Sequence, residues 1–215
     1  MKKIHRQYPK RYYITDMPYF LTSATENRYP YFSDPKKHGR MEEIFCELLV
    51  KEIFFAKKIF RFKLYGFVVL PEHIHLLIKP LDANQNNYSK IMAFIKRHYS
   101  RNLNEIFNFP SAEFGQTRLK EEFKYLDDSI EKINGLTVEL KEKFYFKYKN
   151  QKEFFKKFKW QQGFHYRIIN SRGEFCGYLN YLLKNPAHHG ITPDWQAYRW
   201  SSANPRWKDY IDILK

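Results

Sequence analysis

The chain has 215 residues, 43% of them hydrophobic, which is enough for a packed core and too much for a wholly disordered protein. Its 38 Lys and Arg against 23 Asp and Glu leave a net charge of +15, which favours a polyanionic partner such as DNA, RNA or an anionic membrane surface. No run approaches the roughly 18 apolar residues of a membrane span, and the opening MKKIHRQYPKRYY has no apolar stretch behind its charges, so neither a membrane helix nor a secretory signal is expected.

The aromatic share is 19%, with 20 Phe and 17 Tyr. Basic charge mixed with aromatics suits single-stranded nucleic acid, where cations hold phosphates and rings stack on bases. The plainer alternative is a Lys-rich solvated surface around a Phe-rich core. Cys46 and Cys176 show no metal-type spacing and no disulfide framework, and a reducing cytoplasm is the expected location.

In chain order, Met17 to Thr25 (MPYFLTSAT) alternates and is rich in aromatic and β-branched residues, which predicts a strand. Asn27 to Gly39 reads as a loop. Arg40 to Lys58 places Ile44, Leu48 and Phe55 at helical spacing. Lys63 to Leu70 is a second strand, Pro71-Glu72 a turn, and His73 to Lys79 a third strand. Tyr88 to Phe107 predicts a basic amphipathic helix, apolar at Ile91, Phe94, Ile95 and Leu103 and charged at Lys90, Lys96, Arg97 and Arg101. Residues 108–159, rich in Lys, Glu and Phe, read as a basic helical insertion of two helices broken near Asn134-Gly135. Gly163 to Ile169 is a fourth strand. Ser171 with Glu174 three residues on forms a capping-box pattern, opening a helix expected to run to Asn185 and stop at Pro186. Residues 191–215 form a tail with three tryptophans, expected to pack back on the body. The β-α-β-β-α-β order predicts an α+β, ferredoxin-like fold: an antiparallel sheet with helices on one face, in one domain spanning 1–215.

Two features suggest chemistry. In LPEHIHLLIKP, His73 and His75 sit at i and i+2 of a strand and share one face. Two imidazoles side by side can grip a divalent cation, although two surface histidines have the same pattern and a working site needs a third ligand. In YLNYLLKNP, Tyr181 and Asn185 are one helical turn apart, with Tyr178 approximately on the same face. An amide oxygen suits a hard cation. Ordinary packing of the helix on the sheet would produce the same stripe.

Taken together, LPEHIHLLI, WQQGFHYRII, YLNYLLKNPAHHGIT and YRWSS resemble the REP-associated tyrosine transposases, of the single-tyrosine HUH superfamily of transposases and nickases. The resemblance runs from about Arg11 to Ser202. It implies that His73 and His75 are the metal-binding HUH pair, that Tyr181 is the nucleophile of a Tyr-x-x-x-Asn-Pro pattern, and that Asn185 is the third, amide-type metal ligand. It matches Trp160-Gln161 to the Trp-Gln before the fourth strand, Lys96 to a family lysine, and Trp200-Ser201-Ser202 to the tail's Trp-x-x-Ser-Ser with shorter spacing. The implied activity is nicking and rejoining of single-stranded or hairpin DNA through a 5′-phosphotyrosine link, with Mg2+ or Mn2+, by a monomer or homodimer. Lys90, Lys96, Arg97, Arg101, Trp160, Gln161 and Arg167 are the expected DNA contacts. The competing expectations are a catalytically silent DNA- or RNA-binding regulator of the same fold, and a metal-dependent hydrolase in which Tyr181 is structural.

Overall fold

The computed structural model describes residues 13–14, 16–33, 41, 43–82, 87–107, 146 and 156–214. The expected helical insertion lies almost entirely outside the described residues, as does the far half of the loop before the first helix.

The elements follow in the expected order: β1 (Tyr19–Ala24), α1 (Glu43–Phe60), β2 (Phe62–Leu70), β3 (His73–Pro80), α2 (Tyr88–Ile106), β4 (His165–Ile168) and α3 (Arg172–His188). The sheet is antiparallel, in the order β2-β3-β1-β4. Such an order places β1 and β3 at the centre and leaves β2 and β4 as edges.

Alternation along the central strands separates two chemistries. Tyr19, Leu21 and Ser23 of β1 are in register with Ile78, Leu76 and Ile74 of β3, so these side chains share one face. That face is the core: Leu21, Ile74, Leu76 and Ile78 are fully buried, and the Tyr19 ring lies 4.4 Å from that of Tyr88 on α2. Helices α1 and α2 cover it, with α1 buried almost all round. At the start of α2 the Asn87 side chain accepts hydrogen bonds from the Ser89 and Lys90 amides, satisfying two donors that the first turn leaves open.

The other face carries Phe20, Thr22 and Ala24 of β1, opposite Leu77, His75 and His73 of β3. Helix α3 packs here, while both core helices lie on the opposite face. Its approach depends on Gly66: a Cβ at that position would stand 3.1 Å from Leu179 Cδ1 and 3.4 Å from Leu182 Cδ2. The strand shifts register between Leu64 and Gly66, which brings the glycine beneath the helix.

The capping box at the start of α3 forms with one change. Ser171 Oγ accepts from the Glu174 amide at 3.1 Å, but the Glu174 carboxylate accepts from Asn170 N rather than from the cap residue. The expected stop at Pro186 is corrected: the helix continues to His188. Proline costs one i−4 hydrogen bond, and this one falls in the last turn, where the chain is already closing. The Pro186 carbonyl then accepts from the Ile191 and Thr192 amides.

The tail covers the outer edge of β2. Val69 N donates to Trp200 O, Ser202 N to Phe67 O, and Phe67 N to Ser202 Oγ. Leu64 N donates to the Asp212 carboxylate, which also pairs with Lys57 and Lys63. An open strand edge is thereby closed. The Trp200-Ser201-Ser202 stretch belongs to this edge seal, with Trp200 and Ser201 buried.

Candidate active site

β3 and α3 bring together the residues that the sequence separates most widely. The His73 and His75 rings lie 4.8 Å apart, as expected for neighbours on one strand face. The Tyr181 ring is 5.7 Å from that of His75, and the His189 ring is 5.2 Å from that of His73. Tyr181, Asn185 and His189 are spaced by four, so α3 runs along the histidine pair with Asn185 between the two contacts. Tyr181 is 43% exposed, with its ring edge on Phe20, so the phenol is both anchored and reachable.

Each histidine is held through Nδ1. His73 Nδ1 lies 2.8 Å from Glu72 Oε1. The hydrogen bond to His73 outweighs burial and holds the Glu72 carboxyl below its usual range, so the carboxylate accepts and His73 Nδ1 carries the proton. His75 Nδ1 lies 2.8 Å from Thr22 Oγ1, the residue opposite it in register on β1. Burial above all, with the charges of His73, His189 and Arg28, depresses the His75 pKa to about 3, so this ring is neutral at physiological pH. In both rings Nδ1 is taken by an outer carboxylate or hydroxyl, and Nε2 is the position left for another partner.

Three buried polar atoms at this site have no hydrogen-bond partner among the described residues: His75 Nε2, Asn185 Oδ1 and Asn185 Nδ2. Asn185 is fully buried. An unmade buried hydrogen bond costs about 1–3 kcal/mol, so such orphans mark a place where a further group belongs. No three His, Cys, Asp or Glu side chains form a cation cluster among the described residues. An amide oxygen, such as the unpartnered one of Asn185, is a donor of the kind a hard cation takes. Two imidazoles sharing one cation at about 2.1 Å stand roughly 4.5–5 Å apart at ~90–100°, which the 4.8 Å separation of His73 and His75 satisfies. The donor set, two nitrogens and one oxygen, fits a divalent ion.

The expected DNA-contacting residues divide between the two faces. Arg167 is on the histidine face, where its Nε donates to Tyr178 Oη at 2.9 Å, and the Tyr178 ring packs 5.0 Å from Phe20. Lys90 and Arg97 are exposed on α2, behind the sheet. Arg101 lies 4.0 Å from Glu105 on the same helix. Lys96 Nζ donates to the Gln161 and Gly163 carbonyls at 2.8 and 2.5 Å, strapping the turn before β4 to α2. Trp160 returns a bond from Nε1 to the Lys96 carbonyl, and Gln161 is exposed with its amide bonded to Ala24. Lys96, Arg97, Lys159, Trp160 and Phe164 line an open basic groove beside α2.

Thr22, Glu72 and His189 were not singled out by sequence reasoning. Glu72 adjoins the pair and was read only as part of a turn. Thr22 becomes visible only through strand register, and His189 only once α3 is known to pass Pro186.

A family model described as "Transposase IS200 like" matches residues 13–126, more than half of the chain. The chain belongs to the IS200-like transposase family. The matched segment contains β1 to α2 and the histidine pair, while Tyr181 and Asn185 lie beyond it. The chain is similar to a candidate REP-associated tyrosine transposase of Haemophilus influenzae, at 24% identity over 137 residues, or 62% of this chain and 56% of that relative. The chain thus matches little more than half the length of that curated relative. Among solved structures it is similar to a REP-associated tyrosine transposase bound to a REP hairpin, at a TM-score of 0.55 and 18% identity, covering 91% of this chain and 82% of the other. At that identity the likeness supports the IS200-like fold. Among the described residues, no helix is long and apolar enough to cross a membrane.

Proposed function

We propose that this IS200-like family member nicks and rejoins single-stranded or hairpin DNA by transesterification, with Tyr181 as nucleophile. The observation that carries the reading is the placement of an exposed phenol against a buried histidine pair, with an orphaned amide one turn on. Its ring contacts on Phe20 and His75 hold Tyr181 at the mouth of the site. The Tyr181 oxygen attacks the scissile phosphorus, the bond to the 3′ oxygen breaks, and a 5′-phosphotyrosine link forms as the departing oxygen takes up a proton to become a 3′-OH. The reverse attack by a 3′-OH restores a phosphodiester, so the bond energy is conserved and no nucleotide cofactor is required.

His73, His75 and Asn185 would hold a divalent cation, Mg2+ or Mn2+. Such an ion, when bound, polarises the phosphate and offsets the charge that develops on it. Glu72 holds the His73 proton on Nδ1, and Thr22 engages His75 at Nδ1, which leaves Nε2 of each ring for the ion. Arg167 and the α2 groove offer basic surface for the rest of the strand, with the salt-sensitive affinity of phosphate contacts. The REP hairpin held by the solved relative supports a hairpin as the substrate class.

The decisive assay incubates the full chain with single-stranded hairpin DNA and Mg2+ or Mn2+, then resolves products under denaturing conditions. A protein–DNA adduct that disappears in Tyr181→Phe and with chelator is expected. Cleavage that survives Tyr181→Phe overturns the nucleophile assignment, and salt-sensitive binding with no cleavage under any metal favours a silent DNA-binding role.

A further inference from the structure

A second basic group sits at the mouth of the candidate site, on a loop that the sequence reading passed over. Asn27 and Arg28 follow β1 and both adopt left-handed backbone, at φ of 54° and 51°. Asparagine visits this region readily, but in arginine the Cβ crowds the following carbonyl and the conformation is strained. The loop is held from several sides. Thr25 N donates to Glu72 O at 2.8 Å, Thr25 Oγ1 lies 2.7 and 2.9 Å from the Tyr29 and Glu72 carbonyls, Glu26 N donates to Lys159 O, and Arg28 N to Thr25 O. The strained residue is fixed over the turn that carries Glu72 and begins β3.

The return on that strain within the protein is small. Arg28 Nη1 reaches Glu72 Oε1 only at 3.5 Å, its side chain is 66% exposed, and the same oxygen is already bonded to His73 at 2.8 Å. A solvent-exposed ion pair of this kind contributes little and does not offset the backbone strain. Yet the Glu72 oxygen that Arg28 reaches is the one that holds His73, so the guanidinium stands beside the histidine pair. A costly conformation with little return in the free protein indicates a role in the bound one.

We propose that Arg28 is a phosphate clamp: its guanidinium takes, in bidentate fashion, a backbone phosphate next to the scissile one in a bound single strand. The inference rests on the DNA-processing reading and adds to it a register-setting contact beside Tyr181. A planar fork of N–H donors matches two phosphate oxygens, which a lysine in the same place would not. The contact at 3.5 Å to Glu72 parks the fork without satisfying it.

The test measures hairpin-DNA affinity of the full chain against salt, together with Mn2+ affinity and thermal stability. Arg28→Gln is expected to lower affinity about tenfold at low salt and to reduce the log–log salt slope by about 0.7, the share of one single-strand phosphate. Mn2+ affinity should stay within twofold of wild type. Arg28→Gly, which relieves the left-handed strain, should lose the same affinity while melting no lower than wild type. With oligonucleotides carrying one neutral methylphosphonate each, wild type should lose affinity at one flanking position where Arg28→Gln loses nothing further. An unchanged slope and methylphosphonate profile overturn the clamp while leaving the DNA reading in place. Weaker Mn2+ binding at an unchanged slope also overturns it, because Arg28 would then act through Glu72 on His73. A wild type with no salt-sensitive DNA affinity overturns the clamp and the DNA reading together.

Discussion

Replacing Thr22 by valine tests whether the histidine pair is a prepared ligand set. Thr22 Oγ1 lies 2.8 Å from His75 Nδ1 and is the group that fixes this ring, while Nε2 is buried and without a partner. Valine keeps the shape and removes the hydroxyl that pairs with Nδ1. The neutral imidazole then has no reason to keep its proton on Nδ1, and part of the population presents Nε2–H, which cannot bind a cation. Outer-shell losses of this kind weaken metal binding by roughly 10–100-fold, or about 1.4–2.8 kcal/mol. The missing hydrogen bond also costs the apo protein about 1 kcal/mol, a few degrees of melting temperature. Mn2+ titration by calorimetry, with electron paramagnetic resonance as a check on bound ion, reads the first effect, and thermal melting without metal reads the second. Thr22→Ser restores the hydroxyl and should recover most of the affinity. If Thr22→Val binds Mn2+ within twofold of wild type, while its apo melting temperature falls as expected, the pair is not a tuned metal site.

Asn185→Leu removes two orphaned buried atoms, so it should raise apo stability by about 1–3 kcal/mol while weakening Mn2+ binding at least tenfold; a lower melting temperature would show the amide to be structural. Gly66→Val should destabilise by about 1–3 kcal/mol through the clash with Leu179, Leu182 and Ser202, and should cut DNA adduct formation by displacing α3, both measurable on one preparation. The tail latch has a pH signature. Burial pushes the Asp212 carboxyl up, but bonds from Lys57, Leu64 N and Lys63 outweigh it and hold the pKa below the usual value. Its contribution is thus present above the unfolded carboxyl pKa and is lost as pH falls through the lower folded value, so Asp212→Asn should flatten the acid limb of a stability–pH curve, and an unaltered limb would assign that limb to other groups.

The fold and the site differ in how far they could be read from residues. The strands and core helices follow from local signals, such as alternation in MPYFLTSAT and helical spacing from Ile44 onwards, and the structure matches them to within a few residues. The histidine pair was legible because strand spacing needs no partner. What supports it was not. Thr22 is an ordinary strand threonine until β1 pairs with β3 in a register that sets it against His75. Lys96 reads as an outward cation on a basic helix, and only the fold places two carbonyls of a distant turn around it. Proline was read as a stop because its chief local effect is to remove a bond, whereas here the next residues supply others and carry His189 to His73. In each case the missing information is a contact between segments remote in sequence.

The division of the sheet explains how such a site can be tolerated. The core face is sealed by α1 and α2 with fully buried aliphatic side chains, and the tail closes the β2 edge. Stability is therefore concentrated away from the histidines, and the face bearing them can hold orphaned atoms and a strained loop. One strand serves both purposes: Ile74, Leu76 and Ile78 anchor β3 in the core while His73 and His75 project to the other side. Because alternation is strict, the side chains that fix β3 also fix the aim of the histidines, and a one-residue slip would bury the imidazoles in the core and turn Ile74 toward Tyr181. A rigid pair on the sheet can then be completed by a helix that docks on it through Gly66. The parts that determine chemistry, Tyr181 and Asn185, arrive together on α3, so their contribution depends on how that one helix is seated.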